Sequence, residues 1–561
     1  MKAKIFRLVV ILMSGVLINN SCTKLDEKIL DESSAAGLTE KQIAEGNIAP
    51  VYAKLPDIFL HTNYFAMQEI STDEAILPYR GGTDWGDNGI YISLHKHEPN
   101  SQDPNIRNTW NHLTQGISRA VTAIDALPTN KDPNAKIFLA EARAMKAYYN
   151  LLMLDLFGVV FVKEKSSDLS EIIRGDAAVN YLISELLAVE PQLETNVGPG
   201  RFTKAAAWGL LARLYLNAAV YRDLYATSFN FRADEMDKVI EYCNKIISSN
   251  QYQLATEYFS IFGNNNHDNK ELVFAIDQRP DLNGHNRMAY FSLSGDQFPL
   301  PQYTAANGTD GPGITPEFYR SWVNAYTPVD PANIDPRFYK KNLIIPADSC
   351  VPAASFNIDR GILRGQQYGL TKNAGGAFIT CSNGNMKISK LYNVTRNRPT
   401  LPVDFTEFID FTVAGSNYST GYRVEKYEFS KASSTGRNGG EHDIVILRLA
   451  DVYMMRAEAK LRKNDAAGAL ADVNLVRASR TATTPPPPLT SMTADILFRE
   501  RGFEFYWEHQ RRTDMIRFGK YEGTWTEKSN NDVKKRIFPI PQTAIDGASN
   551  LPGYLVQNPG Y

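Results

Sequence analysis

The sequence predicts a mainly α-helical protein, a tetratricopeptide-like scaffold of repeated helix pairs wound as an α-α superhelix and interrupted by long irregular loops with a few short strands. Three observations predict it. Apolar residues recur at spacings of three and four in several long segments, small residues stand at tetratricopeptide offsets in two of them, and residues 263–440 lose all such period.

The first element in this argument is KIFLAEARAMKAYYNLLMLDLF (136–157), where Phe138, Ala142, Met145, Tyr149, Leu152 and Leu156 form one helical stripe. Ile137, Ala140, Ala144, Tyr148 and Leu151 form a second stripe beside it, so this helix is expected to lie between neighbours, with Gly158 stopping it. In AAAWGLLARLYLNAAVY (205–221), Trp208, Leu211, Ala212 and Tyr215 fall at the offsets of a first tetratricopeptide helix, and a second helix is expected over 234–249. A further copy, RAEAKLRKNDAAGALADVNLVR (456–477), sets Ala457 and Ala469 twelve apart across a turn at Asn464 and Asp465, a spacing that lets two helices approach closely. Pro485 to Pro488 predict a polyproline spacer between a helix ending near Arg480 and one over about 493–509.

Of the 561 residues, 43% are hydrophobic and 22% charged, a globular composition able to bury a large core. Lys2, Lys4 and Arg7 precede the apolar stretch Leu8 to Ile18 and then Asn19, Asn20, Ser21 and Cys22, the pattern of an export signal over 1–21. That apolar run falls short of the roughly 20 residues that span a bilayer, and no later segment approaches that length, which argues against a polytopic membrane protein. Cys22 looks like the acceptor cysteine of a bacterial lipoprotein, although Asn19 stands where Leu is usual; ordinary cleavage near Ser21 is the alternative. Removing 1–21 takes three basic and no acidic residues, leaving 57 Lys and Arg against 62 Asp and Glu. With no basic patch, nucleic acid is not an expected partner. Cys350 and Cys381 could pair in an oxidising compartment, and no Cys or His spacing of a metal site occurs.

Between the helical regions, residues 263–440 are rich in Gly, Pro, Asn and aromatics, and are read as loops with short strands at most; long irregular stretches of this kind usually carry function. The segment 78–113 opens with Gly and Asp around Trp85, so it reads as a loop whose indole suits the apolar face of a sugar ring. Arg80, Asp84, Asp87 and Asn88 would bond the hydroxyls. An equally weighted alternative has Trp85 plugging the loop onto the core. Within 285–322, Tyr290, Phe291, Tyr303, Tyr319 and Trp322 follow no period, and Tyr290 and Trp322 are the candidates for an aromatic cradle. Trp110, Trp208 and Trp507 are assigned to core on helical stripes. His95 and His97 alternate on a possible strand, but two histidines do not make a metal site. No cofactor is expected, although scattered Asp and Asn loops leave room for a structural Ca²⁺.

The ending RIFPIPQTAIDGASNLPGYLVQNPGY (536–561), together with EARAMKAYYNLLMLDLFG, ILRLADVYMMRAEA, IDPRFY and RERGFEFYWEHQRRTDMIRFG, resembles the SusD/RagB family of outer-membrane nutrient-uptake lipoproteins along essentially the whole mature chain. In the last of these segments His509 stands where a Gly is usual. The resemblance implies a SusD-like helical body divided into a repeat region (22–262) and a C-terminal region (263–561) with aromatic loops over 263–440. It implies a glycan ligand, a place on the outer membrane through the lipid anchor, and a SusC-like TonB-dependent transporter as partner. It also carries Arg80, Asp84 and Trp85 over to the glycan site. A peptide ligand, as in RagB-like relatives, is the alternative. A surface glycoside hydrolase ranks lower, because Asp84 and Asp87 on one loop are badly placed to straddle a glycosidic bond, and no nucleophile or metal motif accompanies them. Arg448, Glu458, Arg499, Glu500, Glu504, Arg511 and Asp514, set among apolar helical positions, are expected to be structural ion pairs, and Pro539, Pro541 and Pro559 turn makers.

Overall fold

The computed structural model describes residues 37–80, 90–278, 287–289, 291–297, 301, 308–343, 349–413, 416–430 and 441–561. Its helices pack largely in chain order. The first, α1 (Glu40–Tyr52), starts at Thr39, whose hydroxyl and Gln42 form a reciprocal capping box. A π-helical segment, His61–Ile70, follows, and then β1 (Ala75–Ile76). Asp103 caps α2 (Pro104–Ala126) by accepting from the N–H groups of Asn105 and Ile106. The double-striped segment forms α3 (Ala135–Phe157), with Gly158 at φ 68° ending it in the left-handed region. Nearly every residue from Ala140 to Phe157 is buried, as two apolar stripes require.

The repeat pairs are α4 (Gly175–Val189), α5 (Lys204–Arg222) and α6 (Ala233–Ser248), each packed on its predecessor. Next come β2 (Leu272–Ile276), β3 (Gly313–Ile314) paired with β1, and a helix that the loop reading of 263–440 did not include, α7 (Pro316–Tyr326). Thr315 caps α7 from in front of Pro316, and Pro at the first helical position is pre-set for helix entry. Strand β4 (Ile444–Arg448) pairs antiparallel with β2 and runs straight into α8 (Leu449–Arg462), which packs on both α6 and α9 (Ala466–Ala478). Ala457 and Ala469 are fully buried in that stack, and Asn464 turns the chain at φ 64°. Gly209 is required where α5 meets β4, since a Cβ there would lie 2.0 Å from the Leu447 side chain.

After the proline run come α10 (Ala494–Phe505) and α11 (Arg511–Arg517). The expected helix over 493–509 is therefore shorter. Tyr506 turns extended, and Trp507 and His509 take φ of 63° and 61°. Trp507 is core, as expected, but off the helix; Trp110 is core on α2, while Trp208 is half-buried and donates its indole N–H to Glu190. Cys350 and Cys381 form a disulfide with Cα atoms 6.3 Å apart. Closing a loop of 31 residues stabilises by about 3 to 4 kcal/mol in the chain-entropy view.

The family-like C-terminus is structural. Phe538 N–H donates to the carbonyl of Leu156, and the Asn558 amide donates to the carbonyls of Phe157 and Phe538, satisfying acceptors that the end of α3 leaves open. Arg448, Glu458, Glu500, Glu504, Arg511 and Asp514 also resolve as structural. Glu504 bridges Arg448, Arg480 and Arg337 with every side chain buried, and Glu458 lies between Arg517 and Arg462. Burial alone raises the Glu504 pKa, but Arg480, Arg448 and Arg337 hold its carboxyl far below the usual range.

Candidate functional site

Arg80 sits at the junction of segments far apart in sequence. Its side chain is fully buried. Nε donates to the Gly311 carbonyl at 3.1 Å, and Nη1 donates to the carbonyls of Asn417 (2.9 Å) and Thr420 (2.7 Å) and to the Thr420 hydroxyl (2.9 Å). Arg423 enters the same nest. It donates to Gly311 at 3.2 Å, to Ser292 at 3.4 Å and to Tyr418 at 2.9 Å. Two guanidiniums sharing one carbonyl, both out of water, lose charge stabilisation. Burial, with Arg423 beside it, lowers the Arg80 pKa well below its ordinary value, and burial brings Arg423 down to about 10.

A second layer of bonds extends this frame. Phe291 O accepts from the Thr309 hydroxyl and the Gly311 N–H, Arg396 donates to Asp310 at 2.9 Å, and the Thr395 hydroxyl donates to Asp296 at 2.7 Å. A hairpin of Tyr392–Asn393 against Arg398–Pro402 is thereby docked on Asp296, Thr309 and Asp310. Arg80, residues 291–296 and 309–311, and residues 395–396 and 417–423 meet at one place.

Arg80 was expected to bond ligand hydroxyls, and the structure corrects this. Its long stem lets it reach inward, where backbone carbonyls replace water, so it holds the loops together instead. Trp322 is also corrected. It lies on α7 with no exposed surface, stacked on Phe503 at 3.7 Å and 14° and edge-on to Phe338 at 5.2 Å, and is therefore core. Phe291 is buried against His61, Phe65 and Trp507, and Tyr319 is half-buried against Tyr422. Asp84, Trp85, Asp87, Asn88, Tyr290, Tyr303 and Cys22 lie outside the described residues. Three aromatics that no motif or period singled out are exposed on segments of the frame: Tyr79 at 36%, Tyr392 at 39% and Phe408 at 51%. The carbonyl of Phe408 accepts from Gly421 N–H, next to the arginine nest.

His95 and His97 are not on a strand. His95 ends a short helix, Ile90–His95, and His97 follows at φ 59°. Their rings bond backbone carbonyls of Ile70, Ala75 and Thr526, and of Ser71, respectively. Among the described residues, the group whose atoms lie close enough to hold a cation is His267, Asp277 and Asp443, all within 4.8 Å of one another. The His267 ring bonds Asp443 at 2.7 Å, and the Gln278 N–H donates to the other Asp443 oxygen.

Two family models match the chain: the SusD family over residues 410–561, and "Starch-binding associating with outer membrane", a SusD-like group, over 30–216. The chain belongs to the SusD/RagB family. The starch-binding protein SusD of Bacteroides thetaiotaomicron is 26% identical over 524 residues, covering 89% of this chain and 85% of that protein. A SusD superfamily protein from Parabacteroides distasonis aligns with a TM-score of 0.67 at 17% identity, over 93% of this chain and 100% of that one. A surface glycan-binding protein from B. thetaiotaomicron, solved with laminarihexaose, aligns at 0.63 and 19% over the same shares. These structures carry the SusD fold, mainly helical with short strands. The family's glycan-binding members are non-catalytic.

Proposed function

We propose that this SusD family member is a lipid-anchored protein of the outer-membrane surface that binds a glycan and hands it to a SusC-like TonB-dependent transporter. The observation that carries the reading is the arginine nest. Through Arg80, five residues before Trp85, it ties that part of the chain to Ser292 and Gly311 and to Asn417, Tyr418 and Thr420, so that three distant segments share one buried support. Binding residues on loops held by such a support lose little freedom when a ligand arrives. The starch-binding relative and the laminarihexaose complex support glycan as the ligand class. Cys22 supplies the anchor; acyl chains bury CH₂ groups at about 0.8 kcal/mol each, and a tethered receptor shares its surface with a transporter at high effective concentration.

Calorimetry of the mature protein against a panel of polysaccharides, oligosaccharides and peptides tests the proposal. Saturable heat with at least one oligosaccharide, recovered intact after incubation, is the expected outcome. Binding confined to peptides would move the protein to the peptide-receptor reading. Released reducing ends that disappear in Asp84→Asn or Asp87→Asn would overturn a purely binding role.

A further inference from the structure

Pro487 and Pro488, the last two of the proline run, and the outer end of the buried ion network together line an open pocket of about 240 Å³ at the C-terminal end of α7. With 11 residues at 1.5 Å each, α7 is roughly 16 Å long, and its N-terminal end lies at β1 and β3, so the pocket is remote from the arginine nest. Its floor is Arg477, which is 2% exposed. Arg477 donates to Glu500 at 2.6 Å, to the Tyr326 hydroxyl at 3.2 Å and to the Pro487 carbonyl at 2.5 Å. Its rim includes Arg499, whose side chain is 29% exposed and donates to the other Glu500 oxygen at 3.2 Å.

The charges do not balance here. Arg337, Arg477 and Arg499 all converge on the single carboxylate of Glu500. Followed through its ion pairs among the described residues, the network joins Arg337, Lys426, Arg448, Arg477, Arg480 and Arg499 to Glu271, Asp335, Glu500, Glu504 and Glu508, leaving one positive charge in excess. Arg499 is the only one of these eleven that reaches solvent to this degree. Among the described residues, the Nε atoms of Arg477 and Arg499 are also buried without a hydrogen-bond partner. Guanidiniums short of acceptors are matched best by a planar anion. Opposite them, Pro487 and Pro488 offer rigid apolar surface, and Thr327 adds a hydroxyl.

The geometry points to a second ligand site in this pocket, for a sugar unit that bears a carboxylate. The carboxylate meets Arg499 and the positive floor, the C–H face of the ring lies on the prolines, and the ring hydroxyls reach Thr327 and Tyr326. The volume admits one such unit and not a long chain. The site is independent of the glycan face proposed above, and either can fail without the other.

Calorimetry of the mature protein with glucuronate and galacturonate, beside glucose, acetate and inorganic phosphate, tests it. At least one uronate is expected to bind saturably, and glucose at least tenfold more weakly. Arg499→Gln should weaken the uronate tenfold or more at an unchanged melting temperature, leaving any neutral oligosaccharide affinity as in wild type. Should Arg499→Gln fold badly, Pro488→Glu, on the exposed rim, should repel the uronate to a similar extent. Acetate or phosphate binding as tightly as the uronates would overturn the sugar assignment. Absence of saturable uronate binding, or binding unchanged in both variants, would overturn the site.

Discussion

His509 combines two departures from what a side chain normally tolerates. It stands at φ 61°, and its ring is 4% exposed, set against Phe59 at 5.2 Å, Phe65 at 5.6 Å and Tyr64 at 5.8 Å. Burial pushes its pKa down to about 3, so the folded protein holds it neutral where an unfolded chain would protonate it near 6.5. The unfolded state then binds more protons between those values. The stabilisation is complete above pH 6.5 and is lost as pH falls toward 3, at about 1.4 kcal/mol per unit. His509→Asn, which keeps a residue suited to positive φ, is expected to lose about 2 kcal/mol less than wild type between pH 7 and pH 5 in denaturant titrations. Equal losses would place the acid sensitivity elsewhere. Single residues were also where the sequence was least legible. The loop around Trp85 stands out by its Gly and Asp punctuation, but whether an arginine or a tryptophan points outward depends on partners hundreds of positions away. Arg80 and Trp322 both turned inward for that reason.

At the scale of elements, periodicity was enough for the long helices because each buries a continuous stripe; α3, α5 and α6 stand within a residue or two of where spacing puts them and α9 falls inside the expected copy, while α8 begins at Leu449, seven residues before it. Helix α7 was missed because its 11 residues present too few turns for a stripe to emerge from an aromatic-rich background. The available signal was local, the Thr315-Pro316 start. The α8–α9 pair offers a direct test of the repeat logic. Ala457 and Ala469 have no exposed surface, and a methyl at each lets the two helices approach. Replacing either with Leu should overpack the pair at a cost of about 1 to 3 kcal/mol, read as a lowered denaturation midpoint with an unchanged slope. Wild-type midpoints in both variants would mean that the pair has slack, contrary to the packing described.

Over the whole molecule, the helical array builds a body, while contacts between distant segments bring the loops together. The bonds of Arg80 span 231 positions to Gly311 and 340 to Thr420, and no local pattern could reveal them. Two kinds of residue in the candidate site can therefore be told apart: those that would touch ligand and those that hold the touching loops in place. Trp85 is assigned to the first kind from sequence, and Arg80 to the second from structure. If the indole stacks on a sugar ring, Trp85→Ala should weaken oligosaccharide binding by about 1 to 3 kcal/mol, the scale of an interface hot spot, with no change in melting temperature. Arg80→Met removes the donors but keeps the stem, taking one charged hydrogen bond from each of the carbonyls of Gly311, Asn417 and Thr420. Hydrogen bonds to charged groups contribute about 1.5 to 3 kcal/mol each, so stability should fall by about 3 kcal/mol or more, and affinity should fall with it as these stretches lose their common support. Melting temperature and affinity measured on the same samples separate the cases. A Trp85→Ala protein that melts about as early as Arg80→Met would make the indole a plug on the core. An Arg80→Met protein with wild-type stability and reduced affinity would return Arg80 to the ligand. If Trp85→Ala binds and melts like wild type, the recognition surface shifts to the exposed Tyr79, Tyr392 and Phe408 around the same nest.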